Sequence, residues 1–181
     1  VTYALVDGLN EGAVTYLSDG SFGGFFAMNE VEKTAQALLN YVWRKFMTEE
    51  QIRNSATSSP SSITNFDVAD KGFIYTVTQS SDGETGVRLL NFKGSNLQDG
   101  VVYGDLEWDR KIKDSVSTAF CDVEIDSENF VLLLDASRCR VFVYSEDGDL
   151  ITVCGGKGDQ LGTFASVTAL ETIGDTVYVL D

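Results

Sequence analysis

A chain of 181 residues that is 43% hydrophobic and 11% aromatic carries enough apolar material for one packed domain, which excludes wholesale disorder. Thirteen Lys and Arg face 28 Asp and Glu, a formal charge of −15, and this excludes a nucleic-acid partner, whose phosphates require cationic side chains. Histidine is absent, so imidazole bases, Ser-His-Asp triads and His metal ligands are excluded from this stretch, and no run approaches the ~20 apolar residues that cross a bilayer.

The first residues, Tyr3-Ala-Leu-Val-Asp7, read as a strand. A second strand starts at Ala13, and Asp19-Gly20 marks a turn before Phe22. No initiator Met and no charged leader region is present, so the chain reads as a fragment or processed piece that starts inside a strand. Residues 28–62 break the strand pattern. Leu38, Leu39, Val42, Trp43 and Phe46 recur on one face of a 3.6-residue period. Thr48-Glu-Glu-Gln51 has the form of a capping box opening a second short helix, and residues 55–62 are a polar loop. The spacing predicts an α-helical insert. Its apolar face would pack on the parent domain, or serve as a lid or partner-binding element.

Strands return at Ile63–Ala69, Phe73–Val77 and Val87–Phe92, inside a unit spanning 63–104. Residues 105–117 read as a linker loop holding the one dense basic cluster, Arg110, Lys111 and Lys113. The next unit, 118–155, offers strands at 121–125, 130–134, 140–144 and 149–153, and residues 164–181 begin another. Asp-Gly at 19–20, 82–83 and 147–148 predicts type I′ hairpins, whose two central residues need positive φ. Cys121, Cys139 and Cys154 are odd in number and lack CxxC spacing. Neither a zinc knuckle nor a redox pair follows, and all three are expected as buried or half-buried thiols.

The units repeat. Residues 3–27 align without a gap on 131–155, placing Asp7 on Asp135, Tyr16 on Tyr144 and Asp19-Gly20 on Asp147-Gly148. The second-strand ends Asp7, Thr78, Asp135 and Asp181 are separated by 71, 57 and 46 residues. The last interval is close to the ~40–45 residues of a four-stranded blade, and the longer ones carry the insertions. The fold class expected is therefore all-β: a partial β-propeller of four-stranded antiparallel blades, with the α-helical insert between the first two. Residues 1–27 would end one blade and 164–181 would start another. About three blades cannot close a ring, so the whole protein is expected to be longer.

The best-defined stretch runs Asp122-Val-Glu-Ile-Asp-Ser-Glu-Asn-Phe-Val-Leu-Leu-Leu-Asp135, Arg138-Cys-Arg-Val-Phe-Val-Tyr-Ser-Glu-Asp-Gly148, Gly155-Gly-Lys-Gly-Asp-Gln-Leu-Gly-Thr-Phe164 and Val177-Tyr-Val-Leu-Asp181. This order resembles the NHL-repeat family over about 60 residues. The blade at 63–104 and the start at 1–27 match more loosely. The family's usual proline before the first strand is missing at Thr118–Phe120 and Ala165-Ser166, and Thr78 stands where its Asp is usual. With the insert at 29–53 and the segment Asn65–Gln79, the chain is similar to exported NHL propellers of Gram-positive gut bacteria. The resemblance implies a six-bladed, TolB-like binding scaffold, secreted or held at the cell envelope.

The repeated polar residues have structural readings. Asp135 ends one strand and Arg140 opens the next, so they can meet across the hairpin. Asp147-Gly148 makes a turn, Gly155 and Gly162 suit the crossover to the next blade, and Asp7 and Asp181 repeat the place of Asp135. The run Gly155–Gly162 has no GK[ST] ending and is followed by a strand, so it is not a phosphate loop. Asp67 and Asp122 fall at matching places in first strands, with Asn65 beside one. These three are the channel-facing binding candidates. Tyr3, Tyr75 and Tyr178 recur at near-equivalent strand positions. The expected function is a non-catalytic scaffold for a protein, peptide or glycan, with no cofactor. The alternative is a lactonase-like hydrolase or lyase with a divalent cation such as Ca²⁺ in the channel.

Overall fold

A computed structural model describes residues 1–6, 12–26, 63–69, 71–79, 85–104, 106, 109 and 116–181. The helical insert expected at 28–62, Asp7, the Asp82-Gly83 turn and the cluster of Arg110, Lys111 and Lys113 lie outside the described residues. Among those described, the protein is all-β, and no helix is long and apolar enough to cross a membrane.

Among the described residues, twelve strands form four small antiparallel sheets in chain order. β1 (Thr2–Ala4), β2 (Ala13–Tyr16) and β3 (Phe22–Phe26) make the first. β4 (Ile63–Val68), β5 (Ile74–Gln79) and β6 (Thr85–Leu90) make the second. β7 (Phe120–Ile125), β8 (Val131–Asp135), β9 (Arg140–Tyr144) and β10 (Leu150–Gly155) make the third, and β11 (Ala169–Ile173) with β12 (Thr176–Leu180) makes the fourth. Within each sheet, neighbours in sequence are neighbours in space.

The pairing registers repeat from sheet to sheet. β4 on β5 and β7 on β8 share one register and one irregularity, between Ile63 and Asn65 and between Phe120 and Asp122. β2 on β3 and β9 on β10 likewise share a register, with the shift at Thr15/Tyr16 recurring at Leu150/Thr152. A repeated bulge is a specified feature, because it bends and twists each strand in the same way. One expectation is corrected. Thr2, and not Tyr3 as the alignment has it, opposes Tyr16 as Val131 opposes Tyr144. The ungapped alignment is thus off by one at β1, and one register step exchanges the two faces. The corrected register puts Tyr3, opposite Thr15, in the place of Leu132, opposite Val143. Tyr75 on β5 and Tyr178 on β12 hold that place in their own sheets.

The core consists of successive sheet-on-sheet contacts. Tyr75, Val77 and Leu89 of the second sheet meet Val123, Val131, Leu133 and Phe142 of the third. Leu132, Leu134 and Val141, on the opposite face of the third sheet, meet Val167 and Leu170 of the fourth. Leu5 and Phe26 cover Ile63 and Leu90 of the second sheet. β8 is thus covered on both faces, which is why its sequence is a continuous apolar run without alternation. Each leucine buried there stabilises the fold by about 1.5–3 kcal/mol. β4, β7 and β11, the leading strands, lie side by side across the sheets.

The hairpins also correct the sequence reading. In the Asp147-Gly148 turn, Ser145 N–H bonds the Asp149 carbonyl (2.9 Å) and Gly148 N–H bonds the Ser145 carbonyl (3.0 Å). This is a three-residue loop ending in a left-handed residue, not a two-residue type I′ turn. The same pattern closes Leu17–Ser21, Ala69–Phe73, Asn91–Ser95 and Asp126–Phe130, with Asn129 taking the left-handed position in the last. Asn tolerates that conformation better than other residues with a Cβ. Among the cysteines, Cys139 is buried and Cys121 half-buried, but Cys154 is exposed because it lies on the outermost strand of its sheet.

Candidate functional site: a cleft on the hairpin face

The three binding candidates lie on adjacent leading strands, and each makes a hydrogen bond between sheets. Asn65 on β4 donates its amide to Asp122 on β7. The other Asp122 oxygen accepts the Leu170 N–H on β11 at 2.8 Å, and the oxygen facing Asn65 also accepts the Val123 N–H at 2.9 Å. Asp67 on β4 accepts the Ile125 N–H of β7 at 2.8 Å. The register corrects how they correspond. Asn65 is opposite Val77 as Asp122 is opposite Leu134, so Asn65 and Asp122 are the matching pair. Asp67 matches Glu124 instead, and Glu171 on β11 continues that row.

Residue type alone does not mark Glu124 and Glu171, because the row mixes Asp with Glu. The signal was present as the shared 57-residue offset of Asn65 to Asp122 and Asp67 to Glu124. Glu124 accepts a hydrogen bond from the Thr172 hydroxyl at 3.2 Å and another from the Thr172 backbone. Burial pushes its carboxyl up to about 7, and the neighbouring charges of Asp67 and Glu171 add to this. Burial also raises Asp122, against the opposing hydrogen bonds from Leu170, Val123 and Asn65. Among the described residues, no group of three or more His, Cys, Asp or Glu side chains is arranged to hold a metal ion.

The repeat residues organise the opposite ends of the strands. Asp135 is fully buried, and its Oδ1 accepts from the Ala119 N–H (3.1 Å) and from the N–H and hydroxyl of Ser137 (3.0 and 2.9 Å). Asp181 does the same in the fourth sheet, accepting the N–H groups of Ala165 (2.8 Å) and Ser166 (2.7 Å). Asp135 and Arg140 are register partners, with Oδ2 3.6 Å from Nη2. The closer partner of Arg140 is Asp109, which the sequence did not single out. It accepts from both guanidinium nitrogens, at 3.3 and 3.0 Å. No local pattern marks Asp109, since only tertiary folding brings this residue to Arg140. Gly155 ends β10 at positive φ, and a Cβ there would lie 2.7 Å from the Phe164 ring, so only glycine fits. Gly148 closes its hairpin against Val101, and Asp147 precedes it in the same loop. Gly162 sits in the connection from β10 to β11, near the parallel bridge of Lys157 with Phe164.

On the hairpin face, the second and third sheets leave a shallow cleft, open to solvent, with room for about one water molecule. Hairpins Ala69–Phe73 and Asp126–Phe130 project here with Ser145–Asp149, because each begins where an outbound strand turns back. Phe73, Tyr75, Leu89 and Ile125 form an apolar floor. Lys71 and Glu146 form the rim, with Nζ 2.6 Å from Oε1. The Glu146 carbonyl accepts from Gln98 Nε2 (2.8 Å) and from the Tyr75 hydroxyl (3.4 Å), which fixes that loop. An apolar floor with a few polar rim groups is the usual chemistry of a ligand cleft.

No family model matches this chain, and no curated protein is significantly similar to it.

Proposed function

We propose that the chain is the repeat body of an NHL-type β-propeller. It acts outside the cell as a non-catalytic scaffold that binds a protein or peptide on its hairpin face. The observation that carries this reading is the cleft between the second and third sheets, apolar below and rimmed by Lys71 and Glu146. A partner would lie across this shallow face, and the two opposite rim charges can exchange their mutual contact for contacts with a peptide backbone or charged neighbour. That ion pair is exposed and contributes little to stability, so exchanging it costs little. The inner-strand polar groups support the same reading. Asn65, Asp67 and Asp122 are engaged in tying sheet to sheet. The net charge of −15 accords with an exported, soluble chain.

Binding of the whole chain to peptide and glycan arrays tests the proposal. A peptide signal that falls at least tenfold in Lys71→Glu, with thermal stability unchanged, supports it. A signal that ignores Lys71→Glu and Glu146→Lys removes the cleft from the reading. Metal-dependent hydrolysis of a lactone panel would replace the scaffold with the hydrolase alternative.

A further inference from the structure

The outermost strand of the third sheet has an unusual edge. β10 reads Leu150-Ile-Thr-Val-Cys-Gly155, with no charged residue and no proline in it. Leu150 and Ile151 are 41% and 56% exposed, and Cys154 is exposed on the same strand. β9 occupies one edge of β10, and β11, which follows it in the chain, belongs to another sheet. Among the described residues no strand lies beside the second edge, so sheet order leaves it open. An apolar edge of this kind is a template for another strand, and proteins usually guard it with lysine, proline or a bulge. Here the bulge at Leu150/Thr152 is the guard, and it leaves Thr152–Gly155 in regular register.

Opposite charges flank the strand. Asp149 precedes it and Lys157 follows it, both exposed, and neither side chain has an ion-pair partner among the described residues. A second copy related by a two-fold axis would run antiparallel beside β10 and present the same residues in reverse. With Val153 opposite Val153 of the second copy, Thr152 falls opposite Cys154, and Asp149 falls beside Lys157 at both ends. Centring the pair on Cys154 instead sets Asp149 against Asp159, and centring it on Thr152 sets Asp149 against Gly155. One register therefore joins the apolar stretches and also matches the flanking charges.

We propose that two copies of this chain associate edge to edge through β10, antiparallel about Val153, joining their four-stranded sheets into one. Backbone N–H and C=O groups along the edge supply the hydrogen bonds, and the two Asp149–Lys157 contacts fix the register. The proposal stands apart from the binding role of the hairpin cleft.

Sedimentation of the whole chain over a concentration series should show a monomer–dimer equilibrium. Lys157→Glu places carboxylates together at both ends and should weaken the dimer at least tenfold, as should Asp149→Lys. The combined swap of Asp149→Lys with Lys157→Glu should restore the association. Thr152→Lys puts a charge on the edge and should leave a monomer of unchanged thermal midpoint, because that side chain is exposed. Thr152→Cys reads the register directly. Opposed residues have Cβ atoms about 4.5–5.5 Å apart, close enough for a disulfide after small adjustment. Diamide, taking two electrons and two protons from the thiol pair, should therefore join position 152 of one copy to Cys154 of the other, as mapped by peptide mass spectrometry. A chain that stays monomeric at every concentration overturns the proposal. So does a dimer whose strength ignores the charge substitutions, a cross-link confined to Cys154 with Cys154, or association that grows beyond two copies.

Discussion

The Asp122 carboxylate on β7 accepts the backbone N–H of Leu170 on β11 at 2.8 Å, joining the third and fourth sheets through their leading strands. Its other oxygen serves Val123 and Asn65, so one buried side chain links three sheets. Removing it leaves a buried N–H without an acceptor, which costs about 1–3 kcal/mol for each group so orphaned. Asp122→Ala is therefore expected to lower unfolding stability in urea by about 2–3 kcal/mol. Asp122→Asn keeps one acceptor and should lose less. Equal midpoints for wild type and Asp122→Ala would contradict the link.

The Asp109–Arg140 pair is bidentate and nearly buried, with side chains 7% and 12% exposed. Breaking such a pair from one side strands a charge, at about 3–5 kcal/mol. Asp109→Ala should approach the lower end of that loss, because Arg140 keeps Asp135 Oδ2 at 3.6 Å. The double change Asp109→Ala with Arg140→Met should cost less than the sum of the two single changes. A double-mutant cycle in denaturant measures the coupling. Additive effects of the two changes would show that the pair is not coupled.

Glu124 gives the protein a defined pH response. Its carboxyl stands at about 7 against an ordinary 4.5, through burial first and then the charges of Asp67 and Glu171. The folded state thus holds this proton more tightly than the unfolded chain does. The stabilisation it gives is full below the ordinary value and is lost as pH rises through about 7. Glu124→Gln mimics the protonated form at every pH. Thermal midpoints of the two proteins should agree near pH 4, diverge between about pH 4.5 and 7 and stay apart above neutrality, with the variant the more stable. Parallel curves from pH 5 to 8 would contradict the assignment.

Thr76 on β5 is 1% exposed and its hydroxyl has no partner among the described residues. Its register equivalent on β8 is Leu133, which is fully buried. An unsatisfied buried hydroxyl costs about 1–3 kcal/mol, and valine has the same shape without it. Thr76→Val should raise stability by about 1 kcal/mol, visible as a higher urea midpoint at unchanged slope. A lower midpoint would show that the hydroxyl contributes to the fold.

Much of this architecture is local information. The apolar runs at 131–134 and 141–144, the turn residues near 19–20 and 147–148, and the 57- and 46-residue recurrences fix where strands occur, because strand and turn preferences act over a few residues. The sequence by itself therefore determined an all-β chain of repeated antiparallel sheets. It did not determine the side of β1 that faces inward, since a one-residue register step is decided by packing of Tyr3 against Phe26 and Phe66. Nor did it distinguish a two-residue turn from a three-residue loop, which share the same Asp-Gly pair. Only the tertiary structure decided that Asp67 corresponds to Glu124, that Asp109 reaches Arg140, and that Lys71 closes on Glu146 across 75 residues. These pairings depend on how neighbouring sheets stack, and stacking brings together side chains that no local pattern connects.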